Sequence, residues 1–429
     1  MSSGPDRAPS MVRNMLSLYM FQGLQFVAPL LLIPLLIRRL GTESFGILTL
    51  CTALSVYLQV VCDYGLQITA TQRISVLRNA EEGLARYVSS ILWSKVALAL
   101  LASGVYVLVV FLVPGYAVRW REFGIAGLTA LAGSFLPSWY FQGLERSGAM
   151  VGVTALGRLL QIAFIFLFVR SSDDLLLCLS ILSATTFLTT ALAWRKMLVS
   201  MTWRICPPEI SAVRRVLREG FEVFTAQAGV LLFANTNVLV LGIFASTEAL
   251  GRYAIGEKVV RAIVQLSAPV TNALLPRTSA LLSESPESGF ALIRKAAAIG
   301  GGAFLVMGIA LATASPAFLP WLAGPHSEEI SRLVWILCPL PLLVFLDNLL
   351  GTQILLNLGH RRIFLFGTVS TGLVALILQA ILVPAFQDVG AALSLLASSA
   401  WILLFFAIAS SWAVPRARAR GSRPGKSAE

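Results

Sequence analysis

Apolar residues along this chain gather into about twelve runs, each close to bilayer length and separated by short polar segments. An α-helix rises about 1.5 Å per residue, so roughly 20 apolar residues cross a hydrocarbon core of about 30 Å. The pattern predicts an all-α, polytopic membrane protein, with about twelve transmembrane helices in two six-helix bundles. The first run starts near Asn14 and reaches Ile37, too long for a cleavable signal peptide, so it is expected to remain as the first span.

The longest stretch outside the runs is 195–219, and it divides the chain. The expected parts are a cytoplasmic N-terminal segment (1–13), an N-terminal bundle (14–194), a cytoplasmic basic linker with an interfacial helix (195–219), a C-terminal bundle (220–413) and a basic cytoplasmic tail (414–429). In the linker, EISAVRRVLREG follows Pro207 and Pro208. It sets Ile210, Val213 and Leu217 on one side and Arg214, Arg215 and Arg218 on another, which suits a helix lying on the inner leaflet. The two halves echo each other. GTESFGIL at 41–48 matches STEALGRY at 246–253, and each opens the second span of its half. Same-direction repeats suit two bundles related by an axis along the bilayer normal, with a binding site between them at mid-membrane.

Composition sharpens the assignment: 57% of the residues are hydrophobic, 13% are charged and the net charge is +12. In a membrane protein basic residues first report orientation. Most of the 33 basic residues fall on one side of the alternating spans, which places both termini in the cytoplasm. Much of the remaining positive charge is expected to meet anionic membrane lipids rather than nucleic acid. Five scattered cysteines read as small buried hydrophobes, and two histidines make a metal site improbable, so no metal or cofactor is expected. No catalytic constellation is visible. Asp173 and Asp174 read as a solvated turn, Gly300, Gly301 and Gly302 as close helix packing or a hinge, and no nucleotide-binding motif appears.

The informative residues are the polar ones inside the runs, because a charge at a span centre costs roughly 2.5–3.5 kcal/mol on the insertion scale and needs a wet or paired setting. Arg158 lies near the middle of the fifth run and shares a helical face with Thr154 and Gln161. The eighth run carries Glu257, Lys258, Arg261, Gln265 and Asn272 on one arc, the tenth carries Asp347 near its centre, and the first carries Asn14, Ser17, Gln22 and Gln25. Asn235 and Asn237 occupy the seventh. Two readings stand side by side: these groups pair across helices, Glu257 with Arg261 and Arg158 with Asp347, or they line a hydrated cavity for something polar and anionic. Asp63 and Lys95 lie near span ends, where snorkelling accounts for them.

Three stretches carry a family resemblance: NMLSLYMFQGLQFVAPLLLIPLLIRRLGTESFGIL at 14–48, DYGLQITATQRIS at 63–75 and WYFQGLERSG at 139–148, continued by NTNVLVLGIFASTEALGRYAIGEK at 235–258. They resemble the bacterial polysaccharide transporters that flip O-antigen and exopolysaccharide units, within the multidrug/oligosaccharidyl-lipid/polysaccharide exporter superfamily. Asn237 stands where relatives often have Asp, and Arg73 comes one place late behind Gln72. The resemblance implies a transporter, not an enzyme. Its cargo would be an undecaprenyl-diphosphate-linked oligosaccharide, moved from the inner to the outer leaflet by alternating access, with polysaccharide polymerase and export machinery as further partners. On that reading Arg158, Arg261 and Lys258 hold the diphosphate, Gln22, Gln25, Gln161, Asn235 and Asn237 exchange hydrogen bonds with the sugar, and Asp347 or Glu257 couples to protons. A drug or metabolite exporter of the same superfamily and a membrane-embedded glycan polymerase or ligase are the alternatives. The first would favour acidic pockets, the second a large outer loop.

Overall fold

In the computed structural model the described residues are 11–77, 80–201 and 205–421, with the main chain alone described for 11–31, 416–421 and a few positions between. They are helical throughout, with no strand among them. That is the fold class the apolar runs predict: with no water to satisfy peptide groups in hydrocarbon, each segment must close its own hydrogen bonds. Among the described residues seven stretches are long and apolar enough to cross a membrane, and three of them, at 46, 55 and 71 residues, far exceed one crossing. The chain divides into two compact units, 1–228 and 229–429.

In the first unit α1 (Met11–Asp63) is followed by α2 (Leu66–Leu77), α3 (Glu81–Leu112), α4 (Pro114–Ala117), α5 (Trp120–Ser134), α6 (Ser138–Gly143), α7 (Gly148–Phe168) and α8 (Leu175–Ser200), and it ends inside α9 (Ile210–Phe244). Helix α1 is two arms meeting at Gly41, whose φ of 72° favours glycine. A second break follows Asp63, where Tyr64 and Gly65 have φ of 43° and 71°. A side chain at Gly65 could not fit, because its Cβ would stand 2.7 Å from that of Val223 and 2.8 Å from the carbonyl oxygen of Gly220. Beside this turn Tyr64 stacks on Phe224 with ring centroids 4.5 Å apart. The linker helix and the seventh run, expected as separate pieces, form the single helix α9, since Gly220 serves close packing against the carbonyl of Tyr64 rather than a stop.

The conspicuous sequence stretches at 63–75 and 139–148 meet in space. Helix α2 lies on α6 around Leu66, Ile74, Trp139 and Tyr140, all buried. Gln67 and Ser138 exchange side-chain hydrogen bonds at 3.0 and 3.2 Å, and a Cβ on Gly143 would fall 2.7 Å from that of Ile74. These stretches therefore build a helix junction. On α3, Leu100, Leu101, Val105, Leu108 and Leu112 are exposed, as a hydrocarbon-facing surface requires.

Lys95 departs from the sequence expectation. Rather than snorkelling, it is 2% exposed and donates to Asp63 Oδ1 and to the carbonyl oxygen of Ser134, each at 2.7 Å. Its helix α3 is held against the end of α1 and the end of α5, so the ammonium points inward to the carboxylate that closes α1 and to a main-chain carbonyl at the end of α5.

The second unit comprises the rest of α9, then α10 (Thr247–Val264), α11 (Ser267–Glu284), α12 (Pro286–Ala323), α13 (Ser327–Leu337), α14 (Leu340–Asn348), a π-helical stretch Leu349–Leu356, and α15 (Arg361–Gly421), which kinks at Gln387 with φ of 47°. Ser246 caps α10 by accepting from the Ala249 amide at 3.2 Å. The starts of α3 and α12, Glu81 and Pro286, stand 205 positions apart, as do Gly41 and Ser246, which open the matched segments. At one end of this unit Arg252 bridges Asp388 at 2.7 Å and Glu248 at 3.1 Å, tying the start of α10 to the α15 kink. The glycines at 300 and 301 do serve close packing: a Cβ at 300 would strike the Phe345 ring, and one at 301 would stand 3.3 Å from Leu342. In the π-helical stretch the fully buried Gln353 accepts from Thr278 at 2.5 Å and donates to the carbonyl oxygen of Thr271 at 2.8 Å.

Removing one partner of a buried ion pair costs about 3–5 kcal/mol, because the other charge is left behind. Asp63→Asn strands an ammonium with almost no access to solvent, whereas Lys95→Met strands a carboxylate that remains partly exposed. In detergent-purified protein, Asp63→Asn should lower the melting temperature more than Lys95→Met, as read by intrinsic tryptophan fluorescence.

Candidate functional site

Inside the first unit, α1, α5, α7 and α8 line a cavity of about 410 Å³, within the range of roughly 300–1,000 Å³ typical of ligand pockets. Arg158 is the only charged side chain among the described residues that line it. Around Arg158 stand Gln59, Gln161, Ser55 and seven threonines, Thr52, Thr129, Thr154, Thr185, Thr186, Thr189 and Thr190. Leu136, Leu179 and Leu182 complete the wall with small residues between.

Helical periodicity makes this wall. On α7, Thr154, Arg158 and Gln161 fall at spacings of four and three, so they share a face, and Arg158 Nη1 donates to Gln161 Oε1 at 2.9 Å. On α8, the sequence TTFLTT places Thr185 above Thr189 and Thr186 above Thr190. Gly157 lets α7 approach α8, since a Cβ there would overlap Thr189 Oγ1. Each threonine hydroxyl is turned to a main-chain carbonyl: Thr52 to Leu48 at 2.9 Å, Thr129 to Ile125 at 3.0 Å, Thr154 to Met150 at 2.8 Å, and Thr185, Thr186 and Thr189 to the residues four before them at 2.7 Å. Thr190 reaches instead to α5, donating to the Ala132 carbonyl at 2.9 Å. Such back-bonding is how a hydroxyl avoids standing unsatisfied in a low-dielectric interior.

Of the residues singled out in the sequence, this cavity unites Arg158, Gln161 and Thr154. The side chains of Gln22 and Gln25 lie outside the described residues. The rest belong to the second unit. Glu257, 5% exposed, accepts from Arg261 Nε at 2.5 Å, one turn along α10, and Lys258 beside it is half-buried. Asn237, 2% exposed, accepts from Ser394 at 3.3 Å, while Asn235 is half-buried. Asp347 is half-buried on α14 just before the π-helical stretch, and among the described residues it forms no ion pair. Gln59 and the α8 threonines were not singled out. The signal that could have found the threonines is the doubled Thr-Thr spaced by four.

Two other features are clear. Asp174 Oδ2 accepts from the amides of Arg170 and Ser171 at 2.8 and 2.9 Å, which holds its carboxyl below the usual range; with Ser171 it forms a capping box on the short 3₁₀ turn Ser172–Asp174 that leads into α8. The Asp173–Asp174 pair thus lies in an exposed turn, with Asp174 closing it. A second hollow, of about 680 Å³, lies between α2 and the start of α9. It is lined by Arg73, Arg215 and Arg218 together with Glu219 and Glu222, so its charges nearly balance.

The polysaccharide biosynthesis protein family matches residues 11–282. Over 399 residues the chain is 29% identical to a protein of Escherichia coli (strain K12) described as "Putative O-antigen transporter", covering 91% of this chain and 94% of that one. Among solved structures, the lipid II flippase MurJ in its inward closed conformation superposes with a TM-score of 0.70 at 10% identity, over 96% of this chain and 90% of that one. An inward-facing multidrug resistance transporter of the MATE family, from the MOP superfamily, gives 0.66 at 13% identity over 96% and 100%. At these identities the two likenesses are of fold.

Because Gly157 faces Thr189 without room for a methyl group, Gly157→Ala should cost about 1–3 kcal/mol of stability through overpacking. Adding Thr189→Ala should recover most of that loss. Melting curves of the single and double variants measure the coupling.

Proposed function

The chain belongs to the polysaccharide biosynthesis protein family, and from that premise we propose that it carries undecaprenyl-diphosphate-linked oligosaccharide units from the inner to the outer leaflet of the bacterial inner membrane. It is a multi-pass membrane transporter, and the resemblance read from its sequence is borne out by the family match and the E. coli relative. The finer reading adds about twelve crossings in two bundles, both termini in the cytoplasm and alternating access as the mode of transfer.

The observation that carries the proposal is the cavity of the first unit. It is a polar chamber among apolar helices, walled by hydroxyls and amides around the guanidinium of Arg158. A glycan head cannot shed its water into hydrocarbon without replacing those hydrogen bonds, whereas its polyprenyl tail is at home in lipid. Transfer thus needs a sheltered polar path for the head alone. An inside-negative potential drives an anion outward by about 2.3 kcal/mol per charge per 100 mV, which favours the forward direction for an acidic head. In this reading Arg158 draws in the acidic part of the head and Gln161 orients the guanidinium. In the second unit Arg261 and Lys258 add positive charge beside Glu257, Asn235 and Asn237 contribute amides, Gln22 and Gln25 do so from the first span, and Asp347 exchanges a proton as the empty carrier resets. An organic-cation exporter is disfavoured, because the charge lining the chamber is a cation.

Arg158→Ala at normal membrane abundance should leave lipid-linked units on the cytoplasmic leaflet, with surface polysaccharide reduced at least about tenfold. Arg158→Lys should retain part of the export, since it keeps the charge and loses the planar fork. Leaflet-selective labelling of lipid-linked glycan in a deletion strain complemented with each variant measures both, and unchanged export by Arg158→Ala would overturn the proposal.

A further inference from the structure

We infer that the α8 wall of the first-unit cavity is a sugar subsite that takes ring hydroxyls and excludes the diphosphate; this rests on the lipid-linked oligosaccharide as cargo. The argument is one of donors and acceptors. A threonine hydroxyl has a single hydrogen and two lone pairs. Thr185, Thr186 and Thr189 give that hydrogen to carbonyls of their own helix, and Thr190 gives it to α5, all at 2.7–2.9 Å. What the four can offer a ligand is therefore oxygen lone pairs. The wall is an accepting surface.

A diphosphate at neutral pH is itself all acceptor, so set against α8 it would oppose oxygen to oxygen in a low-dielectric chamber. A pyranose is rich in O–H donors, and an acetamido sugar adds an N–H. The donors of the chamber come from α7 and α1, as Arg158 and the amides of Gln161 and Gln59. The two sets together sort a ligand: hydroxyl donors toward the α8 oxygens, carbonyl or acidic oxygens toward Arg158. At about 410 Å³ the chamber falls in the range of roughly 300–1,000 Å³ typical of small-ligand pockets, which accommodates a sugar ring with its substituents. The α8 face of the cavity thus reads the sugar, and acidic oxygens lie toward Arg158.

The test uses the full-length protein in lipid nanodiscs with two probes, undecaprenyl diphosphate alone and undecaprenyl diphosphate bearing one N-acetylglucosamine, each titrated by native mass spectrometry. The wild type should bind the sugar-bearing lipid at least about tenfold more tightly than the bare lipid. Thr186→Val with Thr189→Val keeps the shape of the wall and removes two acceptors; it should abolish the preference while shifting bare-lipid affinity by less than about twofold. Thr186→Ser with Thr189→Ser, which restores the oxygens, should keep the preference. The single valine variants give the same readout at half the perturbation should the double variant fail to fold. A preference that survives in the valine variants, a bare-lipid affinity that falls with it, or a wild type that binds both lipids equally would overturn the subsite. Failure of the wild type to bind either lipid would overturn the transport reading as well.

Discussion

In hydrocarbon a polar group has no water to turn to, and most of what this protein is follows from that. It forces the main chain into helices, which close their own hydrogen bonds. It also determines where polar side chains are tolerated: at helix breaks, where main-chain groups are left over, and around a chamber, where many polar groups face one another. Lys95, Asp63 and the Ser134 carbonyl are an instance of the first, and the wall of threonines around Arg158 is an instance of the second.

Much of the architecture was legible in the sequence because it is written in long apolar runs, which stand out against any background. The all-α polytopic class, the helix start at Ser246, the packing glycines at 300 and 301, and the shared face of Thr154, Arg158 and Gln161 are all local patterns, read within a few turns of helix. So is the ion pair of Glu257 and Arg261, one turn apart on α10. What escaped is what depends on distant partners. Lys95 and Asp63 are 32 positions apart, so the hydropathy of each suggested a solvated span end when together they form an interior bridge.

The threonines escaped for a different reason. Threonine is nearly neutral in hydropathy and common in spans, where it bonds back to its own helix. One such residue carries no signal. Only the joining of four helices shows that seven of them line the same space as Arg158, and that the glycine at 157 is what brings α7 close enough to α8. The stretches 63–75 and 139–148, which drew attention by their resemblance, proved to be mutual packing partners at the α2–α6 junction, so a strongly marked motif here marks architecture rather than chemistry.

The self-bonded hydroxyls have one more consequence. A chamber whose oxygens were truly orphaned would cling to whatever filled it and would be costly to leave empty. Here every threonine in the wall already has an outlet for its hydrogen, so vacancy carries little penalty and departure of a guest strands nothing. Such a surface favours brief residence and quick turnover over firm capture, which is the compromise a machine must strike when the same cargo has to be taken up on one side and let go on the other.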